Sequence, residues 1–287
     1  MRLHTERRRG KGEGGRGTGI VLLLIVLGSA TFAFAQRGIG DLGFNEPVRF
    51  ASDGMPDRDF TICRMMYTSV RREANGGGWR TDFPYGEINL LTRLSELTKT
   101  RVSFNERRPN QWVVRLTDDA LFDCPYLVAA DVGTMGLEPL EQERLREYLL
   151  KGGFLWVDDF WGTLAWQQWS SQIARVLPPS DYPIEDVPLT DPIFHTQFVV
   201  TKIPQITNIQ FWRGVRGMTT SERGPDSREP HFRAIRDLDG RIMVVMTHNT
   251  DVADSWEREG EDPAFFYQFS PDGYALGINV LLYALTH

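Results

Sequence analysis

K-G-G-F-L-W-V-D-D-F-W-G, Lys151 to Gly162, is the stretch from which the rest of the chain can be placed. Gly152 and Gly153 stand where a helix C-cap favours residues tolerant of positive φ, and Phe154 to Val157 is an apolar run without alternation. Such a run predicts a central strand of a parallel sheet, covered on both faces. Asp158 and Asp159 then arrive at its carboxyl end, the edge at which open α/β sheets bind ligands. Neighbouring residues of an extended strand face opposite ways, so one aspartate can face a pocket while the other caps the next helix.

Working outward, Phe60 to Tyr67 predicts the first strand, with Arg64 as a charge inside it. Arg64 has two readings, an edge or strand-end arginine paired with an acid or a cation aimed into the site. Gln111 to Leu116 predicts a short peripheral strand, and Tyr126 to Ala130 a third strand ending at Asp131. Leu90, Leu94 and Leu97 share one helical face, and Pro139 opens a second helix whose apolar face is Leu145, Tyr148 and Leu149. Downstream, Trp166, Trp169, Ile173 and Val176 recur at helical spacing and read as core. Asp237-Leu238-Asp239-Gly240 predicts a hairpin between residues 231–236 and 241–246, and Tyr274 to Leu285 predicts a buried closing helix. The β-α-β-β-α-β order predicts an α/β fold, a mainly parallel sheet with helices on both faces, whose right-handed crossovers bring the acidic strand ends to one edge.

The amino terminus does not belong to that core. Arg7, Arg8, Arg9, Lys11 and Arg16 precede the aliphatic run Ile20 to Leu27 and the small-residue site Ala33-Phe34-Ala35, which together predict a secretory signal peptide over residues 1–35. An uncleaved anchor is the other reading, and an apolar run shorter than about 18 residues argues against it. Export to a periplasmic or extracellular compartment follows. Residues 36–57 read as a polar linker or surface arm, and residues 58–287 as the α/β domain. Removing residues 1–35 takes away six Lys+Arg and two Asp+Glu, so the charge moves from -6 to (32 - 6) - (38 - 2) = -10. An acidic domain lacks the basic face that a nucleic-acid partner requires.

Cys63 and Cys124 are the two cysteines. An oxidising compartment permits a disulfide, but positions on neighbouring parallel strands often miss the required Cα spacing, so two buried thiols are the expectation. Gly76-Gly77-Gly78-Trp79 lies between a strand and a helix, where backbone N–H groups can meet an anion. It lacks the spacing of a dinucleotide fingerprint or a P-loop, and a plain flexible loop is the alternative. His195 sits in a long Pro-rich loop, as a site residue or a structural histidine. His248 and Asn249 end the second hairpin arm, with Asp251, Asp254 and Trp256 following. Asp158, Asp159, His195, His248 and Asp251 are conceivable metal ligands, yet none shows a compact spacing such as HxxxH, and neither a metal nor a cofactor is expected.

The Gly-rich loop with Trp79, the Gly152-Gly153-Phe154-Leu155 approach to Asp158-Asp159, Pro192-Ile193-Phe194-His195, and His248-Asn249 with Asp254 and Trp256 resemble a bacterial domain-of-unknown-function family, number 4159, over about residues 58 to 287. That family is similar to the class I glutamine amidotransferase-like superfamily, which implies a three-layer, flavodoxin-like fold and supplies no established activity. Hydrolytic members of the superfamily carry a cysteine at a GxCxG turn. Here the matching turn is Asp158-Asp159-Phe160-Trp161-Gly162, without a cysteine. The expected function is therefore an exported, non-catalytic ligand-binding or interaction domain. Arg64, Gly77, Gly78, Trp79, Asp131, Trp161, His248, Asn249, Asp251 and Trp256 are its candidate contacts to a small molecule, glycan or peptide. The rival is a hydrolase or sugar-modifying enzyme using Asp158 or Asp159 with His195, and a cell-envelope protein partner is a third reading.

Overall fold

Alternate residues of the first strand serve two separate cores. In β1 (Ile62–Met66), Cys63 and Met65 enter one apolar cluster, while Ile62 enters the other and Arg64 lies buried beside it. The computed structural model describes residues 47–74 and 76–287, so the expected leader and all of the arm before residue 47 lie outside the described residues. Val48 to His287 form one unit.

After β1 come β2 (Thr68–Ser69), α1 (Tyr85–Leu97), β3 (Phe104–Asn105), β4 (Arg108–Pro109) and β5 (Gln111–Arg115). Then follow β6 (Leu127–Ala130), β7 (Met135–Gly136), α2 (Pro139–Leu150), β8 (Leu155–Phe160), α3 (Gly162–Val176) and β9 (Glu185–Asp186). The chain closes with α4 (Ile209–Gly214), β10 (His231–Arg236), β11 (Ile242–His248), α5 (Asp254–Glu257) and α6 (Pro263–Thr286). Seven strands form the central sheet in the order β5-β1-β6-β8-β11-β10-β9, with β2–β7 and β3–β4 as small ribbons. The first five are parallel neighbours, and β10 and β9 continue antiparallel. This is a flavodoxin-like three-layer arrangement.

Helices α2 and α3 cover one face through Leu145, Leu149, Ala165 and Trp169, and α1, α5 and α6 cover the other through Leu90, Leu94, Trp256 and Leu276. Trp169, Ile173 and Val176 are buried as the helical spacing predicts, whereas Trp166 is only partly covered. Leu97, assigned to the apolar face of α1, is 49% exposed because it ends the helix beyond the packed turns. The described part of the arm lies along the β5 edge, where the Val113 N–H donates to the Arg49 carbonyl (2.8 Å).

Two expectations need correction. Cys63 and Cys124 form a disulfide rather than standing as free thiols. Cys124 is not on a strand. It caps the 3₁₀ turn Asp119–Asp123 ahead of β6, and that turn brings its Cα within 5.9 Å of the Cys63 Cα, inside the range a bridge spans. The central strand also continues past Val157. Ala130 pairs with Asp158 and His248 with Phe160, so both aspartates lie within β8, at a register irregularity of its pairing with β11.

Candidate functional site

Three adjacent parallel strands, β6, β8 and β11, each bring an Asx residue to the carboxyl edge in the left-handed conformation: Asp131 (φ 52), Asp159 (φ 51) and Asn249 (φ 62). Asp and Asn tolerate that region better than other side chains, although strain remains, and strain of this kind concentrates at functional sites. The backbone ties these ends together. The Asp131 N–H donates to the carbonyls of Asp158 (3.2 Å) and Asp159 (3.1 Å), and the Asn249 N–H to that of Phe160 (3.0 Å). Strand order reverses between β1 and β6, which puts Asp131 beside the switch point at which sheets of this type bind ligands.

The glycine-rich loop crosses this point with its anion already supplied by the chain. The Gly78 N–H donates to Asp131 Oδ2 (2.9 Å), and the Gly77 N–H to Thr81 Oγ1 (2.8 Å). A Cβ at Gly76 would collide with the Asp131 carboxylate, so only glycine permits the approach. Half-buried Trp79 packs on Phe83 at 5.9 Å. Outside the loop, a narrow cleft is lined by Glu73, Asp131, Asp159, Trp161, Glu222 and Arg223. Asp159 Oδ1 accepts from Trp161 Nε1 (2.8 Å). Asp159 does not cap α3. The N–H groups of Gly162 and Thr163 at its start donate instead to Asn249 Oδ1 (2.8 Å) and Asp226 Oδ2 (2.9 Å).

Asp158 faces the α1 side and is fully engaged. Its carboxylate accepts from Thr247 Oγ1 (2.5 Å) and from the Ala253 N–H (2.9 Å). Arg64 is paired, in the interior rather than at an edge. Its Nε and Nη2 each lie 2.5 Å from Glu87 Oε1, and both side chains are almost wholly buried. A cavity of about 20 Å³, room for one water molecule, lies among Arg64, Asp82, Glu87, Trp156, Asp158 and Trp256. Four buried atoms in this lining have no hydrogen-bond partner: Arg64 Nη1, Asp82 Oδ2, Glu87 Oε2 and the Tyr126 hydroxyl. Trp256 is thus a wall of this interior cavity and packs edge-on against Trp156 (6.0 Å).

The histidines do not join the acids. His248 is buried, stacks on Phe160 (4.9 Å) and reaches the Gly162 carbonyl through Nε2 (3.1 Å), while Arg233 Nη1 meets its Nδ1 (3.3 Å). A carbonyl at one nitrogen and a donor at the other assign a neutral ring protonated at Nε2. His195 is exposed and meets the Leu189 carbonyl through Nε2 (2.8 Å), with no carboxylate among its hydrogen bonds. Carboxylates at other positions gather instead. One oxygen each from Asp82, Asp159 and Asp251 lie within 4.8 Å of one another, and so do those of Asp82, Asp254 and Glu257. Asp82, Glu87 and Glu257 carry no recognisable spacing, since a turn and two helices bring them to strand ends far away in sequence. Asp254, next to Asp251, was the member most open to recognition.

Burial pushes these acids upward in pKa. Asp131 and Asp158 each rise to about 6, and Asp82, Asp159, Asp251 and Asp254 lie well above the ordinary carboxylate range, in every case first because the interior disfavours the charged form. Unfolded carboxyls titrate near 4. Between pH of about 4 and 6 the folded chain therefore holds more protons than the unfolded one, and stability falls as pH rises through that window and above it. His248, lowered to about 4 by burial, works the other way, losing stability as pH falls from about 6.5. The acids outnumber it. In chelator-treated protein the melting temperature is expected to be higher at about pH 5.5 than at about pH 8, with Asp131→Asn narrowing the difference. Calorimetric melting that is flat, or better at the alkaline end, would contradict this.

A family profile described as a domain of unknown function, DUF4159, matches residues 63–285. The chain belongs to this family. Among curated proteins no match is found. In this DUF4159 domain the matched region begins at Cys63 in β1 and ends within α6, so it contains every strand end described above.

Proposed function

We propose that this DUF4159 domain is an exported ligand-binding domain of the amidotransferase-like kind that binds at its carboxyl edge without transforming what it binds. The observation carrying this reading is the state of Asp159. It lies at the start of the turn that resembles the GxCxG turn of the amidotransferase-like hydrolases, in a left-handed conformation, yet its carboxylate is bonded to the Trp161 indole and no histidine or lysine pairs with it among the described residues. A carboxylate attacks as its anion, and burial holds the pKa of Asp159 well above the ordinary carboxylate range, against that form. The rival hydrolase has its acids at this edge, but Asp158 is saturated by Thr247 and Ala253, and His195 bonds elsewhere.

The cleft outside Asp159 sets four carboxyls, Glu73, Asp131, Asp159 and Glu222, against Arg223 and the Arg71 that pairs with Glu73, and with burial favouring the neutral form of Asp159 a small excess of negative charge is left. That balance suits a cationic group, such as an amine of a small molecule or amino sugar or a basic peptide side chain. The Cys63–Cys124 bridge supports an oxidising compartment, in keeping with a signal peptide over residues 1–35. No helix among the described residues is long and apolar enough to cross a membrane.

Thermal-shift titration of the purified protein with polyamines, lysine- and arginine-containing peptides, amino sugars and neutral glycans tests the reading. Cationic members are expected to raise the melting temperature saturably, and Glu73→Gln to weaken them roughly tenfold, since a charge contact is lost at the rim. Stabilisation by none of them, or by neutral glycans alone, would sink it.

A further inference from the structure

Asp82, Asp159 and Asp251 come from three separate segments: the turn before α1, the irregular end of β8, and the residues after β11. None of them forms an ion pair among the described residues. Arg64 is paired with Glu87 and Arg258 with Asp254, Glu257 and Glu261, while Arg64 Nη1, which has no hydrogen-bond partner, lines the same interior cavity as Asp82. The second group, Asp82 with Asp254 and Glu257, is neutralised in part by Arg258, and the first feels only the Arg64 charge near Asp82, without an ion pair to any of its three members among the described residues.

The hydrogen bonds the trio receives come from neutral donors. Asp159 Oδ1 takes the Trp161 indole N–H (2.8 Å) and Asp251 Oδ1 the Asp254 N–H (2.9 Å). Asp82 differs. It is 8% exposed, its Oδ2 is buried with no donor at all, and it is held at φ 64 while its own carbonyl accepts the Gly86 N–H (2.7 Å). The backbone is thus constrained in a way that aims an unpartnered carboxylate at two others. A buried acceptor without a donor calls for a water or a cation to satisfy it.

Oxygen-only donors select hard divalent cations, and no imidazole or thiolate is present to favour zinc or copper. Calcium–oxygen bonds run about 2.3–2.6 Å, so oxygens on one coordination sphere lie at most about twice that distance apart. The three oxygens fall within 4.8 Å of one another, close enough for a small inward adjustment to bring them onto one cation. Magnesium, with bonds of about 2.0–2.1 Å, needs a slightly tighter set and more water ligands.

We propose that Asp82, Asp159 and Asp251 bind a hard divalent cation of the calcium class, which ties the start of α1 to the ends of β8 and β11. This goes beyond ligand binding at the outer cleft and does not depend on it: Asp159 borders both places, but Asp82 and Asp251 do not line the cleft. Those two positions separate the tests.

Full-length protein is stripped with chelator and titrated calorimetrically with CaCl2 alone and MgCl2 alone, with melting followed in parallel. One cation per chain is expected to bind saturably, calcium more tightly than magnesium, and to raise the melting temperature. Asp82→Asn and Asp251→Asn should each weaken calcium binding roughly tenfold or more, as loss of a charged ligand does, while leaving the response to cationic cleft ligands in place. Absence of saturable binding of either cation to the wild-type chain overturns the proposal, whatever the variants do. So does unchanged calcium affinity in Asp251→Asn, which remains informative if Asp82→Asn does not fold. A wild-type chain that binds no cation but melts higher as Asp82→Asn would mean that protons alone neutralise the trio, and that too overturns it.

Discussion

Arg64→Met is expected to destabilise the domain by roughly 3–5 kcal/mol, because it leaves the Glu87 carboxylate buried without its counterion. Arg64 is 1% exposed and Glu87 2%, and the pair sits between β1 and α1, beyond the reach of bulk water. Even with Arg64 present, burial raises the pKa of Glu87, so its charge already stands at a disadvantage that the guanidinium chiefly offsets, with help from a backbone N–H. The double change Arg64→Met with Glu87→Met should recover most of the loss, since two apolar chains of similar volume remove both desolvation penalties at once. Urea unfolding of the three variants measures this. A single variant within about 1 kcal/mol of wild type, or a double variant no better than the single, would show that the pair does not act as a unit.

Removal of the disulfide is the second large effect. Cys63 and Cys124 close a loop with a sequence separation of 61, for which chain-entropy arguments give roughly 4 kcal/mol. For a domain of this size that corresponds to a fall in melting temperature of roughly 10 °C. Both sulfurs are buried, so Cys63→Ala with Cys124→Ala is a cleaner test than added reductant, which must wait for the structure to open. Retained secondary structure with a melting temperature lowered to that extent is the expected result. A change of only about 2 °C would mean that packing of the 3₁₀ turn against β1, and not the bond, holds this edge.

These two cases show where reading residues in order stops. Arg64 was visible as a charge in an apolar strand, and the pairing with an acid was one of its two readings, but Glu87 could not be named as the partner. Choosing it requires knowing that the Arg64 face of β1 packs under α1. Free thiols failed as the expectation for the opposite reason: the cysteine spacing was judged by that of neighbouring parallel strands, and it is the turn before β6 that shortens the Cα distance.

Local patterns were sufficient for the α/β class, the central run through Phe154 to Val157, the hairpin at Asp237 to Gly240, and the placing of Asp131, Asp158, Asp159 and Asn249 at one edge. Apolar periodicity and turn chemistry act over a few residues, and the handedness of crossovers does the rest. The division of labour between Asp158 and Asp159, the approach of Gly76 and Gly78 to Asp131, and the meeting of Asp82 with Asp159 and Asp251 arise only once the sheet is assembled. Each depends on a contact across dozens of residues, and desolvation, the force that makes those acids unusual, has no magnitude until the surrounding layers have excluded water.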